Sequence, residues 1–193
     1  MKRELASELL LKTIKERRDK NRVLTSHVAT RYYRAPELIL MEKDYGKAVD
    51  IWSAGVIFGE LLMMIEANCP KFAERNCLFP GGYCFPLSPK RNQKLDEDGI
   101  PIDTKNDQLE HIFALIGTPN ETDTSFVTDE KARLYLNQFA PKSPDFEKRF
   151  PSCEPSGLKL LAEMLQFNPF FRPTIEECLQ SPYFEKVSQF SAV

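Results

Sequence analysis

Residues 24–40, LTSHVATRYYRAPELIL, gather groups that could handle phosphate. Thr25 offers a hydroxyl in a loop-like stretch, and Arg31 and Arg34 follow within ten residues. A phosphate on Thr25 would add about −1.5 to −2 charges, and a nearby guanidinium could hold it and order the loop. Residue type alone makes Thr25 an ordinary loop threonine. Metal chemistry has less support. His27 and His111 are the only histidines, and Cys69, Cys77, Cys84, Cys153 and Cys178 form no CxxC pair. A zinc site needs thiolates or imidazoles clustered at short spacing. The DEDG at 96–99 lacks the ligand spacing of a calcium loop and reads as a solvated turn.

These side chains need a scaffold, and the sequence points to a mostly α one. Pro36 suits the first turn of a short helix, where its missing N–H costs nothing. The run 49–65 is apolar almost all round, with Asp50 near its start and Glu60 inside it. It is too short to cross a bilayer comfortably. Its pattern predicts a central helix over 45–67, enclosed by protein on every side. Residues 68–105 are rich in proline and glycine and predict a long irregular excursion. Helices are expected again from Asn106 or Asp107 as N-cap to Gly117 and Pro119, over 128–139, and over 155–167 before Asn168-Pro169. A last helix starts at Thr174, where Thr-x-x-Glu (Thr174, Glu177) has the form of a capping box.

Composition fits a soluble globular chain of one domain: 193 residues, 42% hydrophobic and 28% charged. The net charge of −2 implies no nucleic-acid partner, yet it is uneven, +4 over residues 1–22 and −6 over the rest. Leu5, Leu9, Leu10 and Ile14 fall near helical spacing in that basic arm. It reads as an amphipathic helix laid on the body or a basic arm. A membrane-surface role is the weaker reading, because no aromatic anchors the apolar side. An odd cysteine count and a charged N-terminal region point to reduced thiols in an intracellular compartment.

In order along the chain, several segments resemble the MAP-kinase group of protein kinases. Thr25-Ser26-His27 stands where that family carries Thr-x-Tyr, and residues 28–37 resemble its substrate-docking loop ending in Ala35-Pro36-Glu37. Asp50-Ile51-Trp52-Ser53 resembles the start of the large central helix of the kinase C-terminal lobe. Leu78-Phe79-Pro80-Gly81 and Leu115-Ile116-Gly117-Thr118-Pro119 are similar to the flanks of the insert typical of the group. Phe167-Asn168-Pro169, Arg172-Pro173-Thr174 and Ser181-Pro182-Tyr183-Phe184 resemble its closing helices.

The resemblance implies a partial kinase-like fold: 1–23 as a basic helical arm or activation-segment insertion, 24–186 as a partial protein kinase domain, and 187–193 as a tail. It implies Thr25 as an activation phosphosite for an upstream kinase. His27 replaces the family's tyrosine, whose phosphate partners would fall on Arg31 and Arg34. Val28, Thr30, Arg31, Tyr32, Tyr33 and Arg34 would bind protein substrates carrying Ser/Thr followed by proline. Glu37 and Arg172 would form a buried ion pair, and Asp50 would accept hydrogen bonds from the catalytic loop. The intact family transfers the ATP γ-phosphate with magnesium, in cytoplasm or nucleus. Phosphoryl transfer needs a phosphate-covering loop, a lysine, a catalytic aspartate and magnesium ligands. The sequence has no G-x-G-x-x-G, no V-A-I-K-like strand, no H-R-D and no D-F-G, and Asp145-Phe146-Glu147 lies after Ala35-Pro36-Glu37 and lacks the glycine. The chain by itself is therefore expected to hold neither ATP nor magnesium and to carry no catalytic residue. It is expected to be a piece of a longer kinase or a non-catalytic kinase-like binding module. No membrane partner is implied.

Overall fold

In the computed structural model, which describes residues 30–185, Pro36 opens a short helix, α1 (Pro36–Ile39). All four of its residues are buried. The central helix follows as α2 (Ala48–Met63), shorter at both ends than the apolar run predicts. Its C-terminal end has a local cause. The Asn68 side chain donates to the Leu62 carbonyl at 2.9 Å, beside the Ile65 N–H that reaches the same carbonyl at 3.2 Å, and so ties the chain back onto the last turn. The remaining helices are α3 (Gln108–Ile116), α4 (Glu130–Leu136), α5 (Phe146–Arg149), α6 (Pro155–Met164) and α7 (Ile175–Leu179). Four-residue α5 is absent from the sequence expectation, since its only signal is one turn of polar residues behind Phe146. The described residues contain isolated β-bridges and no strand of a sheet, as a mostly α fold requires.

The caps follow the sequence closely. Asp107 and Asp129 accept backbone N–H bonds at the starts of α3 and α4, and Thr174 and Glu177 form the reciprocal capping box at α7. Residues 68–105 carry one 3-10 turn, Phe72–Glu74, and are otherwise irregular.

Packing centres on one side of α2. Ile51, Trp52, Val56, Leu62 and Met63 turn inward against α6, the 3-10 turns at Arg31–Tyr33 and Pro169–Phe171, and the loop around Phe79. Gly55 lets α6 approach closely: a Cβ there would stand 3.0 Å from Met164 Cβ and 3.1 Å from Leu165 Cδ2. The opposite side of α2 departs from the expectation of full enclosure. Ile57, Leu61, Met64 and Ile65 are 45–62% exposed. The described residues therefore cover one side of an all-round apolar helix and leave these four side chains exposed.

The excursion is tied down at Asp107. Its carboxylate caps α3 through Leu109 N at 2.8 Å and accepts from Phe85 N at 3.0 Å. Burial pushes this carboxyl up to about 6 from 3.8, against the pull of those two donors. The Tyr135 hydroxyl stands near without a well-formed hydrogen bond, and burial followed by the Asp107 charge raises its pKa. An acid whose folded pKa lies above its unfolded one makes folding more favourable at low pH. The Asp107 contribution is therefore greatest below pH 3.8 and lost as pH rises through about 6, on the order of 3 kcal/mol. Urea titrations across that window should show a decline in the wild-type chain that Asp107→Asn flattens. Parallel profiles for the two proteins would remove the assignment.

Candidate functional site

The predicted docking segment is built as one 3-10 turn, Arg31–Tyr33, entered from Thr30 and left at Arg34. The turn closes with Tyr33 N donating to Thr30 O at 3.0 Å. Thr30 is exposed, and Arg31, Tyr32, Tyr33 and Arg34 are half-buried. Extended backbone at Arg34 and Ala35 then leads into Pro36, which cannot donate and so suits the first turn of α1.

Three neighbours hold this segment. Helix α2 supplies two bonds: Ser53 Oγ donates to the Tyr33 carbonyl at 3.0 Å, and the Tyr33 hydroxyl donates to Glu60 Oε2 at 3.1 Å. Burial, then the Glu60 charge, raises the Tyr33 pKa. The other Glu60 oxygen accepts from Leu78 N at 3.1 Å, which joins the excursion to the same carboxylate. Helix α3 supplies Gln108, whose Nε2 reaches the Tyr32 carbonyl at 3.5 Å while its Oε1 accepts from Gly81 N at 3.1 Å. Gly81 is required by that closeness: a Cβ there would stand 2.6 Å from Gln108 Cα. Third, Arg34 Nη1 donates to Cys84 Sγ at 3.4 Å. Burial raises the Cys84 pKa and the guanidinium opposes it. Arg31 lies 5.5 Å over the Tyr32 ring, and its Nε is buried without a hydrogen-bond partner.

Glu37 and Arg172 meet 135 residues apart in sequence. Arg172 Nη1 and Nη2 donate to the two Glu37 oxygens, each at 2.7 Å. The other guanidinium donors go to the carbonyls of Gln166, Ala48 and Phe167, so all five N–H bonds are used. The guanidinium also lies 5.0 Å over the Trp52 ring. This knot joins α1, the start of α2 and the turn after α6.

The structure thus brings Thr30, Arg31, Tyr32, Tyr33 and Arg34 together and pairs Glu37 with Arg172. Asp50 stands apart, exposed on the first turn of α2. Thr25, His27 and Val28 lie outside the described residues. Sequence reasoning missed the supports Ser53, Glu60, Cys84 and Gln108. Glu60 had a usable signal, an acid inside an otherwise apolar helix. Cys84 and Gln108 had none, because their role depends on where the excursion folds back. Asp145-Phe146-Glu147 straddles the start of α5, far along the chain from the docking segment.

Comparison with known proteins agrees with this architecture. The protein kinase domain family matches residues 11–75. Mitogen-activated protein kinase 5 of Oryza sativa subsp. indica is 36% identical over 167 residues, 86% of this chain and 36% of the relative. Mitogen-activated protein kinase mpk-1 of Caenorhabditis elegans is 37% identical over 165 residues, 84% of this chain and 30% of the relative. The chain spans about a third of the length of the curated relatives it matches. With its helical body, the chain is a MAP-kinase-like protein kinase sequence, a C-terminal-lobe piece from the activation segment onward.

Proposed function

We propose that this chain is the substrate-reading part of a MAP-kinase-like Ser/Thr protein kinase directed to Ser/Thr followed by proline. The carrying observation is the half-buried row from Arg31 to Arg34, held by Ser53, Glu60, Gln108 and Cys84. Tyrosine rings and the aliphatic part of Thr30 present a surface suited to a rigid pyrrolidine. Val28 would complete it, and phosphate on Thr25, added by an upstream kinase, would order the approach to it with help from Arg31 or Arg34.

The chemistry itself is assigned elsewhere. No transfer step is assigned to the described residues, because the sequence carries no G-x-G-x-x-G, no H-R-D and no D-F-G. ATP and magnesium belong to the intact kinase on this reading. Likewise no helix among the described residues is long and apolar enough to cross a membrane.

A second reading is a non-catalytic binding module that competes with a complete enzyme for its substrates. It rests on the same row, whose supports Ser53, Glu60, Cys84 and Gln108 all lie within residues 30–185.

The test is a pair of peptides differing only in Ser-Pro against Ser-Ala, titrated into the purified chain. The proline peptide should bind about tenfold more tightly, or roughly 1.4 kcal/mol. Equal affinities would sink the docking assignment. With magnesium and ATP added, neither peptide should gain phosphate; transfer above a blank would show that the chain carries chemistry of its own.

A further inference from the structure

The excursion folds back on the Arg31–Arg34 turn through a short hairpin. Cys84 N donates to Ser88 O at 3.0 Å and Ser88 N donates to Cys84 O at 2.6 Å, an antiparallel pair. Residues paired in this way show their side chains on one face, with Cβ atoms about 5 Å apart. The Ser88 hydroxyl is thus carried on the same face as the Cys84 thiol, which takes the Arg34 guanidinium at 3.4 Å. A thiol sulfur is a weak acceptor for so strong a donor. The Arg31 charge also reaches Cys84, and the Arg31 Nε is buried with no hydrogen-bond partner. Asp107, the acid whose charge reaches the same thiol, has its oxygens taken by Leu109 N and Phe85 N.

The residues after Ser88 suit an enzyme that must reach it. Ser88 is half-buried, and Pro89, Lys90, Arg91 and Asn92 are exposed. Proline also follows Thr118, Ser143 and Ser181. The Thr118 hydroxyl is engaged by Ala140 O and Lys142 N, and the Ser181 hydroxyl by Tyr183 N. Exposed Ser143 stands next to Lys142, whose ammonium is already paired with Glu110. Ser88 is the one whose side chain faces two guanidinium groups.

We propose that Ser88 is a phosphorylation site and that the Arg34 and Arg31 guanidinium groups receive its phosphate, which pins the hairpin to the turn. The modifying enzyme is a Ser/Thr kinase that reads proline after its target and consumes ATP. Ser88 Oγ bonds to the γ-phosphorus, the bond to the ADP oxygen breaks, and the hydroxyl proton leaves to the kinase's base. The product carries about −1.5 to −2 charges and oxygens that displace sulfur from the Arg34 donor. The site does not rest on the docking reading, since neither measurement below uses a bound peptide.

Two measurements on the full 193-residue chain test it. In the first, the chain is incubated with magnesium, ATP and a complete proline-directed Ser/Thr kinase, and the product is mapped by mass spectrometry. Phosphate should appear on Ser88, and Pro89→Ala should reduce it several-fold. No phosphate on Ser88 overturns the site. In the second, the chain is made with phosphoserine encoded at position 88, and phosphorus NMR follows its titration. The second ionisation, about 6 in an ordinary phosphoserine, should fall by about one pH unit relative to a peptide of residues 84–92, because the two cations favour the dianion. That comparison needs no variant. Arg34→Gln or Arg31→Gln should return most of the difference, with far-UV circular dichroism checking the fold. Equal titrations in chain and peptide, or a difference that both variants leave unchanged, would overturn the proposal.

Discussion

Glu37→Leu lowers the stability of the fold by about 3–5 kcal/mol, because it leaves a buried guanidinium without its counter-charge. Both partners are almost fully enclosed, with side-chain exposures of 0% for Arg172 and 2% for Glu37. Two of the five Arg172 donors lose their acceptors at once. Arg172→Lys should also be costly, since an ammonium cannot fill a planar fork that bonds one carboxylate and three carbonyls. The double variant Glu37→Leu with Arg172→Met removes both charges and should recover much of the loss. Urea unfolding followed by far-UV circular dichroism reads all three. A single-variant cost under about 1 kcal/mol would mean that the pair is solvated in solution, as exposed pairs are.

Trp52→Ala is expected to cost a similar amount, about 3–5 kcal/mol, through the cavity it leaves. Trp52 is fully buried, stacks on Phe79 with ring centroids 5.9 Å apart, and carries the Arg172 guanidinium on its face. Its Nε1 is buried with no hydrogen-bond partner. Trp52→Phe deletes that unpartnered donor while keeping an aromatic ring against Phe79, so its cost should be well below that of alanine. Trp52 is the only tryptophan, so dichroism rather than fluorescence must follow the unfolding. If phenylalanine proves as damaging as alanine, the indole N–H has a partner that this structure does not contain. Glu37→Leu and Trp52→Ala both act on Arg172, and their costs should not add.

The helices were legible wherever the sequence carried both an apolar period and a chemical stop. Helix α3 has Asp107 before it and Gly117 after it, and α7 has its Thr174–Glu177 box. Helix α2 was legible in kind and misread in surroundings. Its pattern reports that apolar residues lie on every side, and cannot report how many neighbours exist to cover them. Around the candidate site, Arg31–Arg34 were legible from residue types and the resemblance, and the Glu37–Arg172 contact from the resemblance alone. The supports were not. Gln108 and Cys84 reach the Arg31–Arg34 turn only because the excursion returns over it, and irregular backbone leaves no period to read.

Glu60 serves two clients with one carboxylate. One oxygen takes the Tyr33 hydroxyl and the other takes the Leu78 amide. The amide belongs to the main chain and is present whatever residue stands at 78, whereas the hydroxyl is a property of tyrosine alone. A relative that exchanges Tyr33 for phenylalanine thus keeps a reason to retain the acid. One that exchanges Glu60 for an apolar residue strands both donors in a single step. Drift between these positions should be one-sided over evolutionary time: the tyrosine is free to change first, and the acid is not.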